Sequence, residues 1–218
     1  MNDLKKIFFG IVCVGFSSAH AGSYEDFFAA IRKDDAQAVT ELIRRGFEPN
    51  TPDPDGHHPL MLAVRTGSIK AAEALARVPR VQVDPRNASD ETPLMLAALR
   101  GHTDLVRTLI ARDADVNKTG WTALHYAATH GHLAIIRLLI EAHAYIDAES
   151  PNGTTPLMMA AHYGTPQAVQ LLLDEGADPT LKNQQGLSAI DFAQRGNRKD
   201  AAEAIAAAIR KRSGRGTW

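Results

Sequence analysis

One short phrase recurs along the chain at a nearly constant interval, and that interval limits the fold more than any other property of the sequence. Thr92-Pro93-Leu94-Met95-Leu96-Ala97-Ala98 is followed by Gly101-His102, Thr122-Ala123-Leu124-His125-Tyr126-Ala127-Ala128 by Gly131-His132, and Thr155-Pro156-Leu157-Met158-Met159-Ala160-Ala161 by Gly164. Weaker copies flank these: His58-Pro59-Leu60-Met61-Leu62-Ala63-Val64 with Gly67, Ser188-Ala189-Ile190-Asp191-Phe192-Ala193 with Gly196, and Asp26-Phe27-Phe28-Ala29-Ala30-Ile31 at the start. Taking the leucine place as a marker gives Phe27, Leu60, Leu94, Leu124, Leu157 and Ile190, at steps of 33, 34, 30, 33 and 33 residues. A period of this size belongs to stacked-repeat architectures, in which one supersecondary unit buries its apolar face only against its neighbours.

Each part of the phrase has a physical task. Thr92 and Thr155 stand where a helix needs an N-cap, with proline at the first helical position, where its missing N–H costs nothing. The alanine pairs let adjacent helices approach closely, which agrees with an aromatic share of only 6%. Gly101, Gly131 and Gly164 are expected to reverse the chain between two helices with positive φ. Stripes such as Val106, Leu109 and Ile110, or Ile136, Leu139 and Ile140, or Val169, Leu172 and Leu173, recur at helical spacing in the second helix of each unit.

Taken together and in phase, the Thr-Pro-Leu opening, the Ala-Ala pair, the Gly-His turn and the ending Gly176-Ala177-Asp178 resemble the ankyrin repeat. The resemblance covers about residues 24–212. It implies an all-α solenoid of about six helix-turn-helix units with short finger loops and polar terminal caps. The ankyrin repeat domain is expected over 22–212, with units at about 24–56, 57–90, 91–120, 121–153, 154–186 and 187–212 and a flexible tail at 213–218.

Departures from the pattern carry information. The glycine expected to end the second helix is present as Gly46 and Gly176 but replaced by Asp113 and His143. A left-handed histidine there would store about 1 kcal/mol of strain. Pro79 stops the second helix of the second unit. The 30-residue step leaves only Lys118 and Thr119 between Asn117 and Gly120, so the finger between units three and four is expected to be short and to leave a notch. At the ends, Arg32, Lys33, Asp34, Asp35, Arg44 and Arg45 supply polar surface around Phe27 and Phe28. The last helix, 200–212, places Ile205 and Ile209 inward and cations in its final turn, where they complement the helix dipole.

The first 21 residues read as an address. Lys5 and Lys6 precede an apolar run over 7–16, too short to span a bilayer, and Ala19-His20-Ala21 offers small residues where a signal peptidase reads. Residues 1–21 are therefore expected to be a cleaved signal peptide, with a periplasmic product and no membrane association after cleavage; retention as an anchor is the competing reading. The single cysteine, Cys13, lies inside that run, so no internal disulfide and no thiolate metal site is available afterwards.

Charge is nearly balanced, with 24 Lys and Arg against 25 Asp and Glu, which leaves no global field for gripping phosphates and argues against nucleic acid. No nucleophile elbow, phosphate loop or paired-carboxylate motif is present, so the chain reads as a non-enzyme without a cofactor. Nine histidines invite a metal reading. His125, His102 and His132 occupy motif positions with structural roles, which leaves His130 and His132 near His162 as the arrangement closest to a metal or small-ligand site.

Stacked repeats generate an extended concave surface. The resemblance implies contact positions just before each Thr-Pro and just before each turn glycine. Here they hold His57, Arg65 and Thr66; Glu91, Leu99 and Arg100; Trp121, Thr129 and His130; Thr154, His162 and Tyr163; Leu187, Gln194 and Arg195. Aromatic and arginine side chains most often anchor interfaces, so the expected partner site is the central set Arg100, Trp121, His130, His162 and Tyr163, flanked by Arg65 and Glu91. In the competing reading Trp121 only packs on its own finger. The resemblance extends to small exported ankyrin proteins of Gram-negative bacteria, which implies a protein partner such as a peroxide-defence enzyme, a secreted effector or a toxin, bound by a monomer.

Overall fold

A computed structural model describes residues 18–213. The apolar run of the expected signal segment and nearly all of the expected tail therefore lie outside the described residues. Among the described residues there are twelve helices and no strand: α1 (Ser18–Arg32), α2 (Ala36–Arg44), α3 (Pro59–Thr66), α4 (Ile69–Ala76), α5 (Pro93–Arg100), α6 (Thr103–Ile110), α7 (Ala123–His130), α8 (Leu133–Glu141), α9 (Pro156–Tyr163), α10 (Pro166–Asp174), α11 (Ala189–Arg195) and α12 (Lys199–Ser213). They pair in chain order. The odd-numbered helices stack side by side as an inner row, and the even-numbered helices form an outer row behind them.

The marker residues Phe27, Leu60, Leu94, Leu124 and Leu157 are fully buried between the rows. Burying each stabilises the array by about 2–3 kcal/mol. Both alanines of each pair (Ala97 and Ala98, Ala127 and Ala128, Ala160 and Ala161) are also fully buried, where larger side chains would force the inner helices apart. The inner helices start as expected. The Thr92 hydroxyl accepts the Met95 N–H at 3.3 Å, and the Met95 sulfur accepts the Thr92 N–H at 3.4 Å. Thr155 and Met158 repeat this arrangement, so a thioether closes a capping box usually closed by Glu or Gln.

The turns between paired helices correct two expectations. Gly67, Gly101 and Gly131 have φ of 78°, 76° and 68°, and the same place seven residues past the marker is taken by Asp34 at 56° and Asn197 at 54°. Asn197, not Gly196, is thus the left-handed turn residue of the last pair. Gly164 is not left-handed either, with φ −76° and ψ −156°. The cause is Pro166, which bars Thr165 from helical geometry and makes it an N-cap accepting the Ala168 N–H at 3.2 Å. Gly164 and Gly196 are required by close approach. A Cβ at Gly164 would lie 2.4 Å from the Ala128 carbonyl oxygen, and one at Gly196 would lie 2.7 Å from that of His162. Asp113 and His143 take φ of 60° and 63° as their places demand.

Consecutive pairs are tied by side chains reaching backbone. Asn50, Asp84, Asn117 and Asp147 hold one register position, and each accepts an N–H from the next pair: Gln82, Asp115, Tyr145 and Asp178. Beyond α4, Arg112 gathers the carbonyls of Ala76, Val78, Pro79 and Val81 at 2.6–3.3 Å. It thereby satisfies the carbonyls freed where Pro79 forbids further helix.

Candidate functional site

The finger loops lead into the inner helices and set the side chains at their entrances. In three fingers a side-chain oxygen accepts two backbone N–H groups: Asp53 from Asp55 and His57, Asn87 from Ser89 and Glu91, Asn183 from Gln185 and Leu187. The shortened finger buries Lys118 instead. Its side chain is 4% exposed, its ammonium pairs with Asp90 of the preceding finger, and it donates to the Thr119 carbonyl at 3.0 Å. The notch is therefore closed at its base by a buried lysine, and Asp90, also bonded by Arg86, is held below the usual carboxylate range chiefly by the Lys118 hydrogen bond.

Beside the notch the inner row carries a dimple of about 220 Å³ lined by Leu99, Trp121, His125, Tyr126, Thr129 and Met159. Three consecutive pairs contribute to it. Trp121 is half-buried and meets His125 edge-on at 5.2 Å and Tyr126 at 6.5 Å between ring centres. His125 forms the floor. Its Nδ1 accepts the Thr122 N–H at 3.2 Å and its Nε2–H donates to the Thr154 carbonyl at 2.9 Å, which joins the fourth pair to the fifth. Burial pulls this imidazole down to about 4, so it is neutral at physiological pH. The Tyr126 hydroxyl donates to Glu91 at 2.9 Å, and burial together with that carboxylate pushes the phenol up to about 12. The polar groups of His125, Tyr126 and Thr129 thus have partners already, and the dimple offers apolar surface.

Of the residues expected from sequence, Trp121 lies in this dimple and Glu91 braces it through Tyr126, while Asn87 also donates to Glu91 at 2.7 Å. Arg100 and His130 are exposed on the rim, at the ends of α5 and α7. Tyr163 is 59% exposed and stacks edge-on against His162 at 4.1 Å. His162 is turned toward the last pair, where its Nδ1–H donates to the Phe192 carbonyl at 3.0 Å. Arg65 stands two pairs away and donates to His57 at 3.0 Å. The central set therefore divides between the dimple, its rim and the pair beyond it.

Sequence reasoning missed Tyr126, Met159 and His125 as lining residues. The signal was present: two residues past the marker stand Leu62, Leu96, Tyr126, Met159 and Phe192, an apolar row along the face of consecutive inner helices.

The histidines do not gather around a metal. His130 stacks on His132 at 5.8 Å, His132 bonds the Leu99 carbonyl at 3.2 Å and packs over Gly101, and His162 is bonded elsewhere. Among the described residues the one grouping with metal-ligand proximity is Asp53, Asp55 and His57. There His57 Nδ1 lies 3.1 Å from the Asp53 carboxylate while Nε2 takes the Arg65 guanidinium. Both ring nitrogens are thus engaged within the loop.

Comparison with known proteins agrees with this architecture. Family models described as ankyrin repeats match residues 27–119, 78–150 and 143–193. A crystal structure of an ankyrin repeat domain from Acinetobacter baumannii AYE superimposes with a TM-score of 0.73 at 27% identity, covering 84% of this chain and 96% of that one. Ankyrin repeat and SAM domain-containing protein 6 of Mus musculus is 36% identical over 144 residues, which is 66% of this chain and 13% of that protein. The E3 ubiquitin-protein ligase XB3 of Oryza sativa subsp. japonica is 32% identical over 189 residues, covering 75% of this chain and 40% of the ligase. This chain thus spans only a minor part of the length of these curated relatives.

Proposed function

Because the chain belongs to the ankyrin repeat family, whose repeats are generally protein–protein interaction modules, we propose that it is a non-catalytic scaffold that holds a protein partner against its inner-helix row, in the periplasm. The observation that carries this reading is the dimple between Leu99, Trp121, Tyr126 and Met159. It is an apolar depression with rigid aromatic walls at the centre of the array, the kind of pocket that anchors an interface. The partner belongs to stress protection or to effector immunity, both roles that need a protein held or masked and not converted.

The binding test is positional. A photo-cross-linking residue at Thr129, on the dimple, yields a discrete adduct in intact cells, whereas the same residue at Arg107, exposed on outer helix α6, does not. Adducts from Arg107 alone, or from neither, refute the reading. Export rests on Lys5, Lys6, the apolar run over 7–16 and Ala19-His20-Ala21. A reporter active only outside the cytoplasm, fused after residue 30, becomes active and its leader is shortened; an inactive reporter refutes export.

A further inference from the structure

Charge on the inner row is segregated in a way that the balanced total conceals. Five and six residues past each marker, at or beside the C-terminal ends of the inner helices, stand Arg32 and Lys33, then Arg65, Arg100 and finally Arg195. The fourth and fifth pairs add His130 and His162 at the same places, and none of the twelve positions is Asp or Glu. Among the described residues, these five cations form no ion pair with a carboxylate. The acids along the finger side are engaged instead: Asp53 with His57, Asp90 with Lys118 and Arg86, Glu91 with Asn87 and Tyr126. One edge of the groove is therefore a cationic rail, offset by nearby carboxylates only at Arg195, by Asp191 one turn back, and at Arg65, through His57 and Asp53, and the apolar dimple interrupts it at Leu99 and Thr129.

We infer that the partner's contacting segment is an extended acidic stretch of polypeptide carrying one large apolar side chain, seated in the dimple while carboxylates line up along the rail. This rests on the proposed protein-binding role and specifies its partner chemistry. Apolar occupancy follows from the dimple itself: the Tyr126 hydroxyl and both nitrogens of His125 are already bonded, so a leucine-, methionine- or phenylalanine-sized side chain enters without leaving a buried polar group unpaired. Acidity follows from the rail, because opposed charge steers the encounter and fixes register. Spacing follows from the stack. Packed helices lie about 8–10 Å apart and an extended chain advances about 3.3 Å per residue, so one pair corresponds to roughly three partner residues. An anchor in the dimple, centred on the fourth pair, then places acidic residues about six positions away toward Arg65 and about six toward Arg195.

The test uses the full chain and a displayed library of random peptides. Enriched peptides carry net negative charge and a single apolar anchor. Their affinity falls about tenfold in the doubly reversed variant Arg65→Glu with Arg100→Glu, and similarly in Tyr126→Ala, while Arg107→Glu on the outer row changes nothing. Raising salt weakens binding to the unaltered chain several-fold, which checks the charge term without any variant. Neutral or basic peptides that survive charge reversal but are lost in Tyr126→Ala overturn the acidic inference and leave the protein-binding role standing. If no enriched peptide depends on Tyr126, or if the dimple serves only to join two copies of this chain in sedimentation, both fall.

Discussion

Replacing Gly164 by alanine tests the stacking itself. At φ −76° and ψ −156° the backbone is open to an L-residue, so the cost is not conformational. The added Cβ would sit 2.4 Å from the Ala128 carbonyl oxygen and 2.9 Å from the Ala160 Cα, against an ordinary contact of about 3.4 Å. Both obstacles are backbone, of α7 and of α9, and no side-chain rotation relieves them. The two inner helices must separate by up to about 1 Å along the seam where the paired alanines meet, which belongs at the upper end of overpacking costs, about 3 kcal/mol. Alanine also stiffens the unfolded chain, which returns about 0.7 kcal/mol. The net loss is then about 2 kcal/mol, or a midpoint lower by about 4–8 °C in thermal unfolding. Gly46→Ala is the control. With φ 102° and nothing within 4 Å of its Cβ, it suffers strain alone, a net loss of about 1 kcal/mol or less. Hydrogen exchange should locate the first loss at α7, α9 and the loop between α8 and α9, leaving α1 to α4 protected, since repeat arrays lose cooperativity at a weakened seam. If Gly164→Ala is as stable as the unaltered chain, or loses protection evenly along the array, the reasoning is wrong.

Arg112→Ala strands the carbonyls of Ala76, Pro79 and Val81 at the end of the second pair, while that of Val78 keeps the Val81 N–H, and should cost about 2–4 kcal/mol in chemical denaturation, with Arg112→Lys recovering only part, because an ammonium cannot span the fork. His125 is lowered to about 4 when folded and titrates near 6.5 when unfolded, so its contribution is complete above about pH 6.5 and is lost as pH falls toward 4, by about 3 kcal/mol; His125→Gln should flatten that stretch of the stability profile. Asp84→Asn should raise stability at neutral pH by about 0.5–1 kcal/mol, as burial raises this carboxyl and its Oδ1 is buried without a partner, while Asn50 and Asn117 do the same work uncharged. An unchanged denaturation midpoint would count against that account.

The fold was legible because its instructions are local and repeated. Thr92, Thr122 and Thr155 cap, the following residues pack, and the period leaves one way for the copies to meet. Where reading the sequence failed, the deciding interaction lay in a neighbouring pair or in one substitution within the turn. Gly164 looks like Gly131 until Pro166 is taken into account, since the proline pushes Thr165 into extended backbone and removes the need for positive φ. In the last pair Asn197 takes the left-handed place because α11 ends one residue early, and the glycine beside it is retained only to clear the His162 carbonyl.

The site was legible in part for the same reason. Trp121 and Glu91 stand at positions that the repeat pattern marks, but what joins them is Tyr126, a residue that belongs to the next register row and whose hydroxyl reaches 35 positions back along the chain to Glu91. Lys118 shows the converse. Read along the chain, it is one of two residues left in a truncated loop; in the array it fills the space that truncation opens and holds Asp90 of the finger before it. In a finger three residues shorter than most of the others, a single long side chain thus seals the gap. Removing that side chain should open the gap without touching the dimple's lining. Lys118→Ala is therefore expected to lower stability, through an unfilled cavity and a released Asp90, while leaving binding at the dimple unchanged wherever the array remains folded. A variant that lost binding but kept its denaturation midpoint would show instead that the short finger, and not the dimple, is what the partner touches.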